Sequence, residues 1–555
     1  MHDGAMSDLA VPRTLTSLLA ESVRRHPDQL AVIEPGTAPV RTLTYRELEA
    51  SARHLAGELR QLGVRRGDVV AVWLPNCLEW FVAEFAAARI GAVSLGVNTR
   101  YRAHELTSLL RTARPVCVLA PGRFLGIDFA GTLREAASSA GLEAWQPPLV
   151  ALTGEAGDDT VWDVGGGVVS LDVHGRGDSA GQSVREEAAE GADSDLVNLF
   201  TTSGSTSAPK LAGHDQASVA LHAVNVAQAF DLRQGDRLMC ILPLCGVFGF
   251  SGALAALAAG AVCLAEPVFE PVSAVAHMSE HGMTHLNGGD DLYLRVIEAY
   301  QEQPADLSRW RRGGIANFTG KAEFAVRWVE EHIGTKIAGV YGSSECFALM
   351  STWPPDLPAR DRARGGGQVV APPAEVRVAG EKTGGPLPRG EPGELQFRGY
   401  NVVREYFRNP GATAAAFTAD GWFRSGDIGY LEDASSFVYL CRSGDALRLR
   451  GFLVEPVESF LMTHPAVHTA GLVGVTLPER GDVAVAFVTL RSGSSASPDE
   501  LTEFCRRGLA SFKVPARIIC IDEFPVTVGT NGAKILTRTL REMAVRMLSS
   551  EGSGT

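Results

Sequence analysis

Leu196-Val197-Asn198-Leu199-Phe200 runs directly into Thr201-Thr202-Ser203-Gly204-Ser205-Thr206-Ser207-Ala208-Pro209-Lys210. The first five residues form the short apolar run of a buried strand, and the ten that follow form a loop at its carboxyl end. Small and hydroxylated side chains let backbone N–H groups come close to an anion, and Lys210 adds a positive charge. That composition suits phosphate; it also fits a polar surface turn. It is not the Walker loop, which requires G-x-x-x-x-G-K-[ST].

Upstream of this stretch, Thr44-Tyr45-Arg46-Glu47-Leu48 opens a helix in which Leu48, Ala52, Leu55, Leu59 and Leu62 recur at helical spacing. Gly67-Asp68 turns into the apolar run Val69–Trp73, a helix follows from Leu78 to Ile90, and Gly91–Leu95 reads as the next strand. Strand, helix and strand in alternation imply an α/β sheet with helices on its faces. Residues 151–195, rich in Gly, Asp, Ser and Glu, read as a loop or partly strand-like connection. Regular patterning resumes at Leu196 and runs to about 350. Residues 366–440 turn strand-rich, with alternation in Glu375–Val378 and Glu394–Phe397. The uncharged stretch Ile241–Ala265 contains Pro243 and several glycines, and reads as a buried helix leading into a strand rather than a membrane span.

The chain, at 555 residues, is too long for one hydrophobic core. A hydrophobic content of 45% with 21% charged residues is ordinary globular composition. The formal net charge of −13 argues against a nucleic-acid surface, but not against a local pocket for a nucleotide. Nine scattered cysteines without a C-x-x-C pair fit reduced thiols filling apolar gaps. No basic start with an apolar run opens the chain. The expectation is a soluble, cytoplasmic protein, monomer or homodimer, with neither nucleic-acid partner nor membrane span.

The phosphate loop resembles the T-S-G-[ST]-T-G-x-P-K loop of the adenylate-forming superfamily, which contains acyl-CoA synthetases, peptide-synthetase adenylation domains and firefly-type luciferases. The resemblance extends along the chain in the family's order. Tyr341-Gly342-Ser343-Ser344-Glu345 is similar to Y-G-x-T-E, and Gly421–Asp427 to G-W-[FY]-x-T-G-D. Cys441–Asp445 with Leu449-Arg450-Gly451 resembles the G-R-x-x-D…G segment, and Asn531–Ile535 the terminal G-K motif. The fold this implies is α/β: a large N-terminal domain of several subdomains, with mixed and parallel sheets flanked by helices and a β-rich subdomain, and a small mobile α+β C-terminal domain. The boundaries expected are 1–441 for the adenylation core, 442–446 for the hinge and 447–555 for the mobile domain.

The resemblance also implies roles. Thr202, Ser203, Gly204, Ser205, Thr206 and Lys210 would cradle the phosphates of ATP, and Gly342 and Ser343 would line the nucleotide site. Tyr341 would stack on the adenine, Asp427 would accept the ribose hydroxyls, and Arg442 would support the ribose end. Glu345 would hold Mg²⁺, a hard ion that favours oxygen ligands. Ser344 would reach the α-phosphate, where Lys534 would stabilise developing charge. Asp445 falls at the family's hinge and Gly451 in the loop lining the thiol tunnel. In the reaction implied, a carboxylic acid attacks ATP, pyrophosphate leaves, and CoA captures the acyl group.

The chain departs from the family pattern at Ser207, at Ala533 and at Gly246, where many relatives have histidine. By position the acid pocket draws on Cys245, Gly246, Phe248 and Gly249, on Asn287, Gly288 and Asp290, and on Asn317, Gly320 and Lys321. The glycines at 246, 249, 288, 289 and 320 are expected to leave room for a substrate. Lys321 or Asp290 is expected to meet a polar group on the acid; alternatively Lys321 begins the helix Lys321–Ile333 and faces water. The implied function is an acid–CoA ligase for an aryl or fatty acid, an AMP-forming acid–thiol ligase. Alternatives are transfer to a carrier protein or an amine, a diazotase activating nitrite for an aryl amine, and a non-catalytic nucleotide-binding relative. A NAD-binding enzyme is disfavoured, since no G-x-G-x-x-G follows a strand with an acidic residue at the right distance.

Overall fold

The computed structural model describes residues 12–121, 124–141, 149–153, 168–172, 191–202, 210–371, 374–380, 383–443, 448–449, 452–453, 457–477, 481–509, 514–529 and 532–551. Two large sheets face each other across a layer of helices. The helix Tyr45–Gln61 starts at a capping box formed by Thr44 and Glu47 and buries Leu48, Ala52, Leu55 and Leu59, the face its spacing foretold. The helix Leu78–Ile90 keeps the boundaries read from sequence, and every residue but Arg89 is buried. A helix that is apolar all round needs neighbours on every side, and this one has a sheet above and below. Val247–Ala258 is likewise buried and leads into the strand Val262–Ala265, as expected for the uncharged stretch.

Strand alternation assigns the two cores of the smaller, eight-stranded sheet. Val70 and Val72 face the helices between the sheets, while Val69 and Ala71 face Ala103–Ala113 and Phe129–Ser139 on the outside. Leu149–Thr153, which ends inside the segment 151–195, and Val168–Asp172 form strands on one edge of this sheet, and most of the rest of that segment lies outside the described residues.

The larger, thirteen-stranded sheet changes character along its width. Leu30–Glu34, Val262–Ala265, Arg237–Cys240, His285–Gly289, Arg312–Ala316 and Lys336–Ser343 are parallel. From Lys336–Ser343 onward the pairing is antiparallel through Phe347–Thr352, Gly366–Val369 and Ser436–Arg442 to Phe423–Leu431, Gly393–Arg398 and Glu375–Ala379. That half is the strand-rich region foreseen for 366–440. In the other sheet Leu196–Thr201 makes the same change, parallel to Val93–Gly96 and antiparallel to Leu211–Asp215. At these change-over points the carboxyl end of Lys336–Ser343 runs into Ser344-Glu345, and that of Leu196–Thr201 into Thr202.

The C-terminal unit is α+β. Val467–Leu477, Gly481–Leu490 and Arg517–Cys520 form a sheet with Pro498–Gly508 on one face and Thr537–Glu551 on the other. The hairpin Val526–Gly529/Gly532–Ile535 places Lys534 opposite Thr527 and runs beside His285–Gly289 and Asp290–Glu302. No described helix is long and apolar enough to cross a membrane.

Candidate active site

A cavity of about 2830 Å³ opens at the two change-over points and extends toward the C-terminal unit. Thr202 and Lys210, which flank the phosphate loop, line it together with Tyr341–Glu345, Asp427 and Arg442. Ser203, Gly204, Ser205 and Thr206 lie outside the described residues. The turn after Lys336–Ser343 is tied to the loop strand, because Ser344 Oγ donates to the Thr201 carbonyl at 3.1 Å. Lys210 Nζ stands 4.5 Å above the Tyr406 ring, and Tyr406 OH donates to Glu345 Oε1 at 2.9 Å. Tyr406 was missed by the sequence reading: Glu405-Tyr406 is a two-residue edge strand whose pairing with Leu211–Asp215 alone brings it to Glu345.

Asp427 and Arg442 are direct cross-strand partners, so their pairing follows from sheet register. Arg442 Nε lies 3.1 Å from Asp427 Oδ1, and Tyr341 OH donates to Oδ2 at 2.5 Å. Asp427 is buried at the cavity wall, with one oxygen facing Arg442 and the other accepting from Tyr341. The Tyr341 ring packs among Phe397, Phe437 and Tyr439 at centroid distances of 5.2–5.6 Å. Its hydroxyl is therefore anchored on Asp427 while the ring forms part of the cavity wall.

Among the described residues no three His, Cys, Asp or Glu side chains are grouped to hold a metal. Mg²⁺ arriving with a nucleotide keeps waters and phosphate oxygens and needs only one or two carboxylates. Glu345, a carboxylate oxygen donor on the cavity wall, fits that requirement.

The acid-pocket expectations divide. Phe248, Asn317, Gly320 and Lys321 line the cavity; Cys245, Gly246, Gly249, Asn287, Gly288 and Asp290 do not. Asp290 is fully buried and accepts from the N–H groups of Phe318, Thr319 and Lys321 and from the Thr319 hydroxyl. Its carboxylate is engaged in shaping the loop before Ala322–Ile333. Three of the glycines expected to leave room lie close to other protein atoms. A Cβ at Gly249 would stand 2.6 Å from Pro243 O, one at Gly288 2.9 Å from Leu292, and one at Gly320 2.7 Å from Met462. These glycines permit close packing of protein against protein. Asn287 Oδ1 accepts from Gly314 N–H at 2.8 Å and joins two strands, and burial pushes the Cys245 thiol up to about 12. Lys321 is the residue before the helix Ala322–Ile333, half-buried on the cavity wall rather than facing open water. Burial and the nearby Arg491 charge bring its ammonium down to about 8, with Asp290 opposing.

Lys534 sits on the hairpin strand next to Ile535, which lines the cavity. Asp445 and Gly451 lie outside the described residues, as does most of 442–446.

Residues 19–407 match the AMP-binding enzyme family and residues 456–529 the AMP-binding enzyme C-terminal domain. The chain is 31% identical to 3-[(3aS,4S,7aS)-7a-methyl-1,5-dioxo-octahydro-1H-inden-4-yl]propanoyl:CoA ligase of Mycobacterium tuberculosis, over 96% of this chain and 99% of that protein. It is 27% identical to 4-coumarate–CoA ligase 5 of Oryza sativa subsp. japonica, over 97% and 96%. ATP-bound MatB from Rhodopseudomonas palustris superposes with a TM-score of 0.77 at 25% identity, covering 95% of this chain and 98% of that one. With the family matched across both units and the site built at its strand ends, the chain belongs to the AMP-binding enzymes, the adenylate-forming superfamily of ligases.

Proposed function

We propose that the protein activates a carboxylic acid with ATP and Mg²⁺ and passes the acyl group to CoA. The observation that carries this is the convergence of Lys210, Ser344, Glu345 and the Asp427–Arg442 pair on one cavity. Asp427, steadied by Tyr341 and Arg442, holds the ribose. Lys210 and the loop before it hold the phosphates, and Ser344 faces the α-phosphate. A carboxylate oxygen of the acid attacks the α-phosphorus, the bond to pyrophosphate breaks, and acyl-AMP remains. Lys534, brought in by the C-terminal hairpin, stabilises the charge on the α-phosphate. Mg²⁺ at Glu345 supplies neutralisation of phosphate charge when bound. The CoA sulfur then attacks the acyl carbon, AMP leaves, and the thiol gives up its proton. Asp445 serves as the hinge between the two steps, joining a core of 1–441 to a mobile unit of 447–555, and Gly451 lines the thiol path.

The test is pyrophosphate release from ATP–Mg²⁺ with aliphatic, aromatic and dicarboxylic acids, with and without CoA, and with nitrite plus aminobenzoates. Acid-dependent release with thioester formed only in the presence of CoA is expected. Release that depends on nitrite, or that yields no thioester with any acid, overturns the proposal.

A further inference from the structure

The turn that carries Ser344 and Glu345 is held from outside its own hairpin. Four of its carbonyls receive donors from elsewhere in the chain. His214 Nε2 donates to Ser344 O at 2.8 Å, Val403 N–H to Glu345 O at 2.5 Å, Asn401 Nδ2 to Cys346 O at 2.9 Å, and His222 Nε2 to Ala348 O at 2.8 Å. Both imidazoles also stack on Phe347, with centroid distances of 3.9 Å and 4.7 Å and interplanar angles of 27° and 11°. Phe347 and Leu349 hold φ values of 58° and 61°, a left-handed backbone that residues with side chains avoid. Such a backbone persists only where its surroundings over-determine it, and it gathers at functional sites.

A carbonyl can only accept, so both rings carry their proton on Nε2. Tyr400 OH donates to His222 Nδ1 at 3.2 Å, whereas the buried His214 Nδ1 has no hydrogen-bond partner among the described residues. Burial brings both imidazoles down to about 4, against the pull of the carbonyls they contact. The rings are therefore neutral across ordinary working pH, and their contacts do not change with it.

We infer that His214 and His222 are positioning residues for adenylation, which set where Ser344 Oγ and the Glu345 carboxylate enter the cavity by fixing the carbonyls around Phe347. This rests on reading the cavity as the adenylating site. Packing alone would need only the volume of each ring; positioning needs the Nε2 proton. A misplacement of about 1 Å at reacting groups can cost on the order of a hundredfold in rate.

The experiment compares His214→Gln, which keeps a donor at similar reach, with His214→Leu, which keeps volume and loses the donor. Acid-dependent pyrophosphate release, the half-saturating Mg²⁺ concentration and the melting temperature are measured for each. His214→Leu is expected to lower kcat about thirtyfold and raise the Mg²⁺ requirement, while His214→Gln stays within about threefold of wild type. Equal kcat and equal Mg²⁺ requirement in the two variants overturns the inference, whatever their melting temperatures. If His214→Leu does not fold, His222→Gln against His222→Leu reads the same difference. A wild-type protein that releases no pyrophosphate with any acid overturns the adenylation reading itself, which is a different result from an active wild type with indistinguishable variants.

Discussion

Tyr406 and Lys321 show how a side chain acquires a role from what it meets. Tyr406 OH donates to Glu345 Oε1, and its ring lies under Lys210 Nζ, so it joins the carboxylate to the cation that the motifs single out. Tyr406→Phe keeps the ring and removes the donor. Hydrogen bonds to charged groups contribute about 1.5–3 kcal/mol, so pyrophosphate release should slow about tenfold with little change in melting temperature. A rate equal to wild type would show that the contact is dispensable. Lys321 meets Asp290, the first residue of the helix Asp290–Glu302, and Arg491 and His468 of the C-terminal unit; burial and the Arg491 charge bring its ammonium down to about 8. Turnover of an acid with a second, distal carboxylate should fall as pH rises through about 8, because the cation that pairs with it is lost, while a simple monoacid is unaffected. Lys321→Ala should remove that difference in competition assays at pH 7. An unchanged ranking of acids would rule out the contact.

At the scale of one element, the helix Leu78–Ile90 carries a carboxylate into the layer between the sheets. Glu84 is 1% exposed, and burial pushes its carboxyl up to about 7 against hydrogen bonds from Ser94 and Asn198. Asn198 Nδ2 donates to Oε1 at 2.7 Å, yet Glu84 Oε2 and Asn198 Oδ1 are both buried without partners among the described residues. A proton on Glu84 supplies the donor that this pair lacks. The folded chain therefore holds more protons than the unfolded chain between about pH 4.5 and 7. The stability contributed by Glu84 is full below that window and lost as pH rises through it. Glu84→Gln keeps a donor at every pH, and urea unfolding at pH 8 should find it more stable than wild type by about 3 kcal/mol, with the gap closing by pH 4.5. A gap that does not vary with pH would show that Glu84 does not titrate in this range. The helix boundaries were legible because apolar spacing and the following Gly91 mark them. The fate of Glu84 was not, since one carboxylate in an apolar helix reads equally as a solvent-facing position.

For the whole molecule, the contact to weigh is that between the core and the C-terminal unit. Gly320 has a φ of 83°, and a Cβ there would stand 2.7 Å from Met462 Cε. Gly320→Ala should slow pyrophosphate release about tenfold, partly through backbone strain and partly by displacing the Met462 side chain of the C-terminal unit. Met462→Ala removes the second cause, so the double variant should lose less than the sum of the singles, with a coupling of about 1 kcal/mol. Strictly additive losses would mean that this packing is absent when acyl-AMP forms. Five motifs in family order made both units legible from sequence. The surroundings of Gly249, Gly288 and Gly320 were not legible, because a missing side chain does not say whether substrate or protein stands beside it.

What the sequence determined by itself was local: the strand that ends in a phosphate loop, the helical stripes, the order of the motifs, and the candidates Lys210, Ser344, Glu345, Asp427, Arg442 and Lys534. The strand, the stripes and the motif order depend on residue type and spacing, which short-range sterics and hydrogen bonding interpret, whereas the six candidates follow from the family resemblance that the motifs carry. Only the tertiary structure decided that Tyr406 reaches Glu345, that Asp290 turns inward to hold a loop, and that His214 and His222 grip the turn of Ser344. Those contacts join residues up to 130 positions apart in the chain. Such contacts arise from sheet pairing and from burial, which leaves each polar group dependent on whatever partner the fold supplies.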